Sequence, residues 1–154
     1  MEMRISLVSA KKIRKGQEMS DFALLEGLSY ERPDQISAPA LAFIGDAVYD
    51  LYIRGLLISD GIRNPGRLHN SAVGYVKASR QRQAYENVLG MLTDMEMQIA
   101  KRGRNANMGS IPKNANPVDY TFATAFETLL GYLYLINDRN RLLEILEKAA
   151  GEQE

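Results

Sequence analysis

The chain has 154 residues, is 45% hydrophobic and 25% charged, and carries 19 Lys or Arg against 19 Asp or Glu. These values describe one globular domain of ordinary size and exclude a disordered chain, and a net charge of zero by itself speaks against a nucleic-acid binder. With no Cys and a single His, His69, disulfide scaffolds, thiolate zinc sites and multi-histidine metal centres are excluded, which leaves carboxylates, hydroxyls, amides and basic side chains for any chemistry.

Helix signals dominate along the chain. Residues 1–35 show little periodicity and read as an N-terminal extension, with one short capped helix from Ser20 to Gly27. The spacing of Leu41, Ile44, Val48 and Leu51 predicts a helix from about Pro39 to Ile58, with apolar groups on its other faces as well. Asn64-Pro65 reads as a helix start, and a helix from about Ser71 to Leu89 follows. Thr93-Asp94-Met95-Glu96 is a capping box opening a helix that Gly103 should close. Residues 104–116 form a long loop rich in Asn, Gly and Pro, a kind that is often functional. A helix over 117–136 and an amphipathic one from Asp138 to Ala149 complete the domain, which spans 36–150. No segment is long and apolar enough to span a membrane and no secretory signal is recognisable, so a cytoplasmic protein is expected.

Two carboxylates stand out. Asp46 lies in ALAFIGDAVYDLYI and Glu127 in TAFETLLGYLYL, each on a largely apolar helix where an ionised group is costly unless paired or bound to a metal. Asp50 follows Asp46 by one turn and repels it. A divalent cation would relieve that conflict, but so would an Asp50–Arg54 pair with Asp46 facing solvent. A metal shared between the two helices is one reading of the two carboxylates, and oxygen ligands suit Mg²⁺ or Mn²⁺. His69 has no evident partner and reads as structural or exposed. The zero net charge hides an asymmetry: residues 63–113 hold nine Lys or Arg and three Asp or Glu, a local net of +6. Lys77 and Arg80 face the same way, and Lys101, Arg102, Arg104 and Lys113 flank or occupy the long loop. This strip is either a solvated face or a phosphate-binding surface.

Ala38–Asp46 resembles the N-E-R-L-E-F-L-G-D signature of ribonuclease III catalytic domains. The forms ALAxIGDA, KRGRNA, PKN and TAFExLLGYL occur in order at Ala40–Ala47, Lys101–Ala106, Pro112–Asn114 and Thr124–Leu133, and they are similar to those of the short bacterial branch, Mini-ribonuclease III. The resemblance implies an all-α ribonuclease III catalytic (endonuclease) domain fold, homodimeric, with Phe43 at the dimer contact. It implies Asp46 and Glu127 as catalytic residues and metal ligands, with Thr124 acting through a water. It also implies Mg²⁺, with Mn²⁺ able to substitute, and Lys77, Arg80, Lys101, Arg102, Arg104 and Lys113 as RNA-binding residues.

The same resemblance implies hydrolysis of double-stranded RNA to 5′-phosphate products, in stems of the large-subunit (23S) ribosomal RNA precursor. Full-length family members gather four acidic residues around the metals, and two of those positions here are Ala42 and Thr124. They also carry a double-stranded RNA-binding domain, for which residues after 150 leave no room. Members of the branch begin shortly before ALAxIGDA, so Met19 would be a matching start, with residues 1–18 either an extension or the product of an upstream start wrongly assigned. The alternatives are a non-catalytic double-stranded RNA-binding protein on the same fold, a helical metal-dependent nucleotide phosphohydrolase, and a purely structural helical dimer.

Overall fold

The computed structural model describes residues 32–106, 109 and 111–151. The short helix expected at Ser20–Gly27 lies outside the described residues. Those described form six α-helices and no strand: α1 (Ala38–Ser59), α2 (Pro65–Val76), α3 (Ala78–Val88), α4 (Asp94–Asn105), α5 (Pro117–Leu135) and α6 (Arg139–Ala150). Among them no helix is long and apolar enough to cross a membrane.

Most helix starts have a side-chain cap. Ser37, Asn64, Thr93, Asn116 and Asp138 each accept a hydrogen bond from a backbone N–H in the first turn they precede, satisfying donors that would otherwise be orphaned. At α4 both halves of the capping box form. Its Glu96 is buried and also meets Arg141 of α6 through two contacts of 2.7 and 2.9 Å. Burial pushes the Glu96 carboxyl up, but hydrogen bonds from Arg141 and Thr93 outweigh it and hold it below its ordinary value.

Two boundaries differ from the sequence expectation. The helix expected over Ser71–Leu89 is two helices, parted at Lys77, whose backbone is extended (φ −64°, ψ 149°). The break is held from within: the Gln81 Nε2 donates to the Val76 carbonyl at 2.8 Å, satisfying an acceptor at the end of α2. The second difference is Gly103, which does not stop α4. The helix runs two residues further, and Gly103 packs against α5, where a Cβ would overlap the Thr128 side chain.

α5 is the central helix. Phe126, Leu129, Leu130 and Leu133 are fully buried, and α1, α3, α4 and α6 pack around it. Tyr49 of α1 meets Phe126 edge to face at 5.1 Å. The tightest junction is α1 on α5. A Cβ on Gly45 would overlap the Glu127 carbonyl oxygen, and a Cβ on Gly131 would overlap that of Leu41. Each glycine lets the other helix's backbone come into direct contact.

Gly45→Ala and Gly131→Ala should each cost about 3 kcal/mol or more, because the clash is with backbone rather than with a side chain that can rotate. Gly55→Ala on the same helix meets nothing within 4 Å. It should gain up to about 1 kcal/mol from helix propensity. Urea denaturation of the three variants checks this contrast.

Candidate active site

The Gly45–Gly131 junction fixes what stands beside it. Asp46 follows Gly45, and the carbonyl that Gly45 touches belongs to Glu127. The two carboxylates, 81 positions apart in sequence, are therefore neighbours at one face of the α1–α5 crossing. Asp46 is exposed and Glu127 partly buried. Burial pushes the Glu127 carboxyl up to about 7, with the Asp46 charge adding to the rise. A hydrogen bond from Gln81 of α3 opposes it.

The Asp50–Arg54 pair also forms, at 2.9 Å, so Asp50 is neutralised along its own helix. Asp46 does face solvent, as one of the two sequence readings had it, but with Glu127 at its side. Thr124 is buried and donates to the Tyr120 carbonyl at 2.9 Å. That bond uses its proton and leaves lone pairs on the hydroxyl oxygen. Ala42 is buried and apolar, so nothing at that position adds charge. Among the described residues no group of three or more His, Asp or Glu is arranged to hold a metal.

Two carboxylates fit a hard, oxygen-seeking cation that keeps much of its own hydration, as Mg²⁺ does with one or two protein carboxylates. They do not fit zinc, which takes three or four protein ligands rich in N and S. Like charges held together with one partly buried is the condition a divalent cation relieves.

The basic residues fall into distinct environments. Lys77 is exposed at the α2–α3 break. Arg80, one turn on, is exposed and stacks over Tyr75 at 5.6 Å. Burial drives the Tyr49 hydroxyl up to about 12, and the Arg80 charge partly opposes this, so Arg80 lies near the buried flank of α1. Arg104 is exposed and stacks on Phe122 at 5.3 Å. Arg82, which sequence reasoning did not single out, stacks on the same ring at 5.3 Å and pairs with Asp119 at 3.0 Å. Lys101 and Lys113 are exposed. Arg102 is turned inward. Its guanidinium donates to the carbonyls of Asp34 and Ile36, both at 2.6 Å, and ties the segment before α1 to α4.

Sequence reasoning missed Gln81. It is buried, at 4% exposure, and it occupies the same stripe as Ala84, Tyr85 and Val88. A polar residue on the apolar stripe of an otherwise polar helix was the available signal.

The raised Glu127 pKa has a thermodynamic consequence. The native state keeps the Glu127 proton between about pH 4.5 and pH 7, while the unfolded chain has released it. This group therefore makes stability fall as pH rises through that window, by on the order of 2–3 kcal/mol by pH 8 in metal-free buffer. Thermal melts in EDTA should show this fall in the wild type and a flatter profile in Glu127→Gln. Identical pH profiles would place Glu127 in a solvated, unperturbed setting.

The model of the family described as "Ribonuclease III domain" matches residues 39–138. The chain is 43% identical over 117 residues to Mini-ribonuclease 3 of Brevibacillus brevis, covering 76% of this chain and 87% of that one. It is 42% identical over 123 residues to Mini-ribonuclease 3 of Enterococcus faecalis, covering 77% and 93%. A crystal structure of a Fusobacterium nucleatum protein superposes with a TM-score of 0.68 at 27% identity, covering 76% of this chain and 93% of that one. With the family model matching the span of α1 to α5 and relatives of this identity aligned along most of their length, the chain belongs to the ribonuclease III family, in its Mini-ribonuclease 3 branch.

Proposed function

We propose that the chain is an endoribonuclease that hydrolyses double-stranded RNA with the help of a divalent cation, Mg²⁺ or Mn²⁺ in its place, held by Asp46 and Glu127. The observation that carries this reading is the pairing of the two carboxylates across the α1–α5 junction, close enough for the Asp46 charge to act on Glu127. Without a cation the pair is compensated only by a proton kept on Glu127, and a bound cation would take that proton's place. A divalent cation, when bound, supplies Lewis acidity at a phosphodiester and a nucleophilic water at neutral pH.

The chain's own residues do the rest. Asp46, at the solvent edge, would hold the cation on the side open to an incoming phosphate. Glu127, deeper, would give up its raised proton to a bound cation and act on it in a drier setting, where the attraction is stronger. Thr124 contributes through the lone pairs of its hydroxyl, by way of water. Products carrying a 5′-phosphate are expected from the family chemistry.

Binding is assigned to the exposed cations. Lys77 and Arg80 stand at and beside the α2–α3 break, and Arg104 is braced against Phe122, near one end of α5. Lys101 and Lys113 add charge on α4 and in the loop. Such contacts read the phosphates and shape of an A-form duplex rather than its bases. Arg102 reaches RNA only by giving up two backbone carbonyls, so its role here is to brace the N-terminal segment.

One stripe of α1 is exposed and largely apolar: Phe43 at 80%, Leu51 at 67% and Ile58 at 49%, with Ala47 between. These positions are spaced by four, four and seven residues, which keeps them on one side of the helix beside Asp46. We infer that this stripe is the contact of a two-fold homodimer, with Phe43 as part of it. A dimer sets two carboxylate pairs side by side, one for each strand. The substrate we infer from the family is a stem of the large-subunit (23S) ribosomal RNA precursor.

Asp46→Asn and Glu127→Gln should each abolish Mg²⁺-dependent cleavage of an RNA duplex while leaving the circular dichroism spectrum unchanged. Full activity in either would remove the site assignment. Lys77→Ala and Arg104→Ala should each lower the slope of log affinity against log salt by about 1. Arg102→Ala should lower the melting temperature and leave that slope unchanged.

A further inference from the structure

Gln81 has three features that packing alone does not explain. It is 4% exposed, yet it is polar. Its Nε2 donates to the Val76 carbonyl at 2.8 Å, which fixes the orientation of the amide, since the reversed amide would set two acceptors against each other. Its Oε1 is buried and has no protein partner. An orphaned buried acceptor costs about 1–3 kcal/mol, so it calls for a partner outside the chain. The same carboxamide lies within hydrogen-bonding reach of Glu127.

We propose that Gln81 is a positioning residue of this site. Its amide fixes the Glu127 carboxylate, and its free carbonyl oxygen accepts a hydrogen bond from a hydration water of the divalent cation. The inference rests on the cation reading above and adds a third contributor, from a third helix. It also gives the α2–α3 break a purpose. The bond to Val76 holds the break open, and the break carries Lys77 and leads directly into Arg80. One side chain thereby links a basic corner of the surface to the deeper of the two acids. Ala42 adds no ligand and Thr124 spends its proton on Tyr120, so an uncharged oxygen from α3 supplements a donor set that α1 and α5 leave sparse. Outer contacts of this kind are worth about 10- to 100-fold in metal affinity.

Mn²⁺ binding to the RNA-free full-length protein, followed by titration calorimetry at pH 8, tests this. Gln81→Met keeps length and removes donor and acceptor, and should weaken Mn²⁺ at least 10-fold. Gln81→Glu keeps an oxygen at the site and should bind Mn²⁺ at least as tightly as the wild type. In wild-type protein the Gln81 side-chain amide signals should move on adding Mg²⁺, and should not move in Asp46→Asn. Equal Mn²⁺ affinity in wild type and Gln81→Met overturns the inference and leaves the cation reading intact. Equal losses in Gln81→Met and Gln81→Glu overturn it too, by reducing Gln81 to a brace for the helix break. Should Gln81→Met fail to fold, unmoved amide signals in the wild type overturn it. A wild type that takes up no Mn²⁺ removes the cation reading and this inference together.

Discussion

Two helix backbones touch where Gly45 of α1 faces α5 and Gly131 of α5 faces α1. The contact has no room for a single carbon on either side. Helices separated by side chains pack about 8–10 Å apart, and at this crossing no side chain stands between the two backbones. The register is thereby pinned. A slip by one residue would drive Ile44 or Asp46 into the Glu127 carbonyl. Everything chemical in the domain inherits its position from this junction, since Asp46 follows one glycine and Glu127 lies one turn before the other. Gly103 repeats the device on α4, bringing the KRGRNA segment against the same central helix at Thr124 and Thr128.

That rigidity is set against an electrostatic conflict. Burial and the Asp46 charge both oppose ionisation of Glu127, and only the Gln81 hydrogen bond favours it. The other charge pairs of the domain are settled internally: Asp50 with Arg54, Asp119 with Arg82, Glu96 with Arg141. At the α1–α5 junction two acids face each other, with an unpartnered amide oxygen nearby. Strain of this kind, held by a frame that cannot relax, is what a binding site for a hard cation requires.

Much of this was legible in the sequence. Asn64 and Thr93 marked helix starts because the pattern of a short polar cap at the head of a helix is local. Asp46 and Glu127 stood out because an acid in an apolar stripe is a local anomaly. What was not legible depended on contacts distant in sequence. Gly103 carried the signal of a helix stop, yet it serves as a contact surface for α5. The break at Lys77 is made by a side chain four positions later reaching back to Val76. Arg102 looked like its neighbour Arg104, but the carbonyls of Asp34 and Ile36 claim it, and no spacing rule places that segment against α4. Gln81 was hidden by composition, as one of several polar residues on a helix that buries only one face.

Asp46 and Glu127 are proposed to form one divalent-cation site across the glycine junction. Crystals of the protein grown with Mn²⁺ and measured for anomalous scattering test it directly. A single strong Mn²⁺ peak is expected between the two carboxylates, with Gln81 facing its hydration shell, and that peak should be lost in Asp46→Asn. Mn²⁺ bound elsewhere, or a peak that survives in Asp46→Asn, would contradict it.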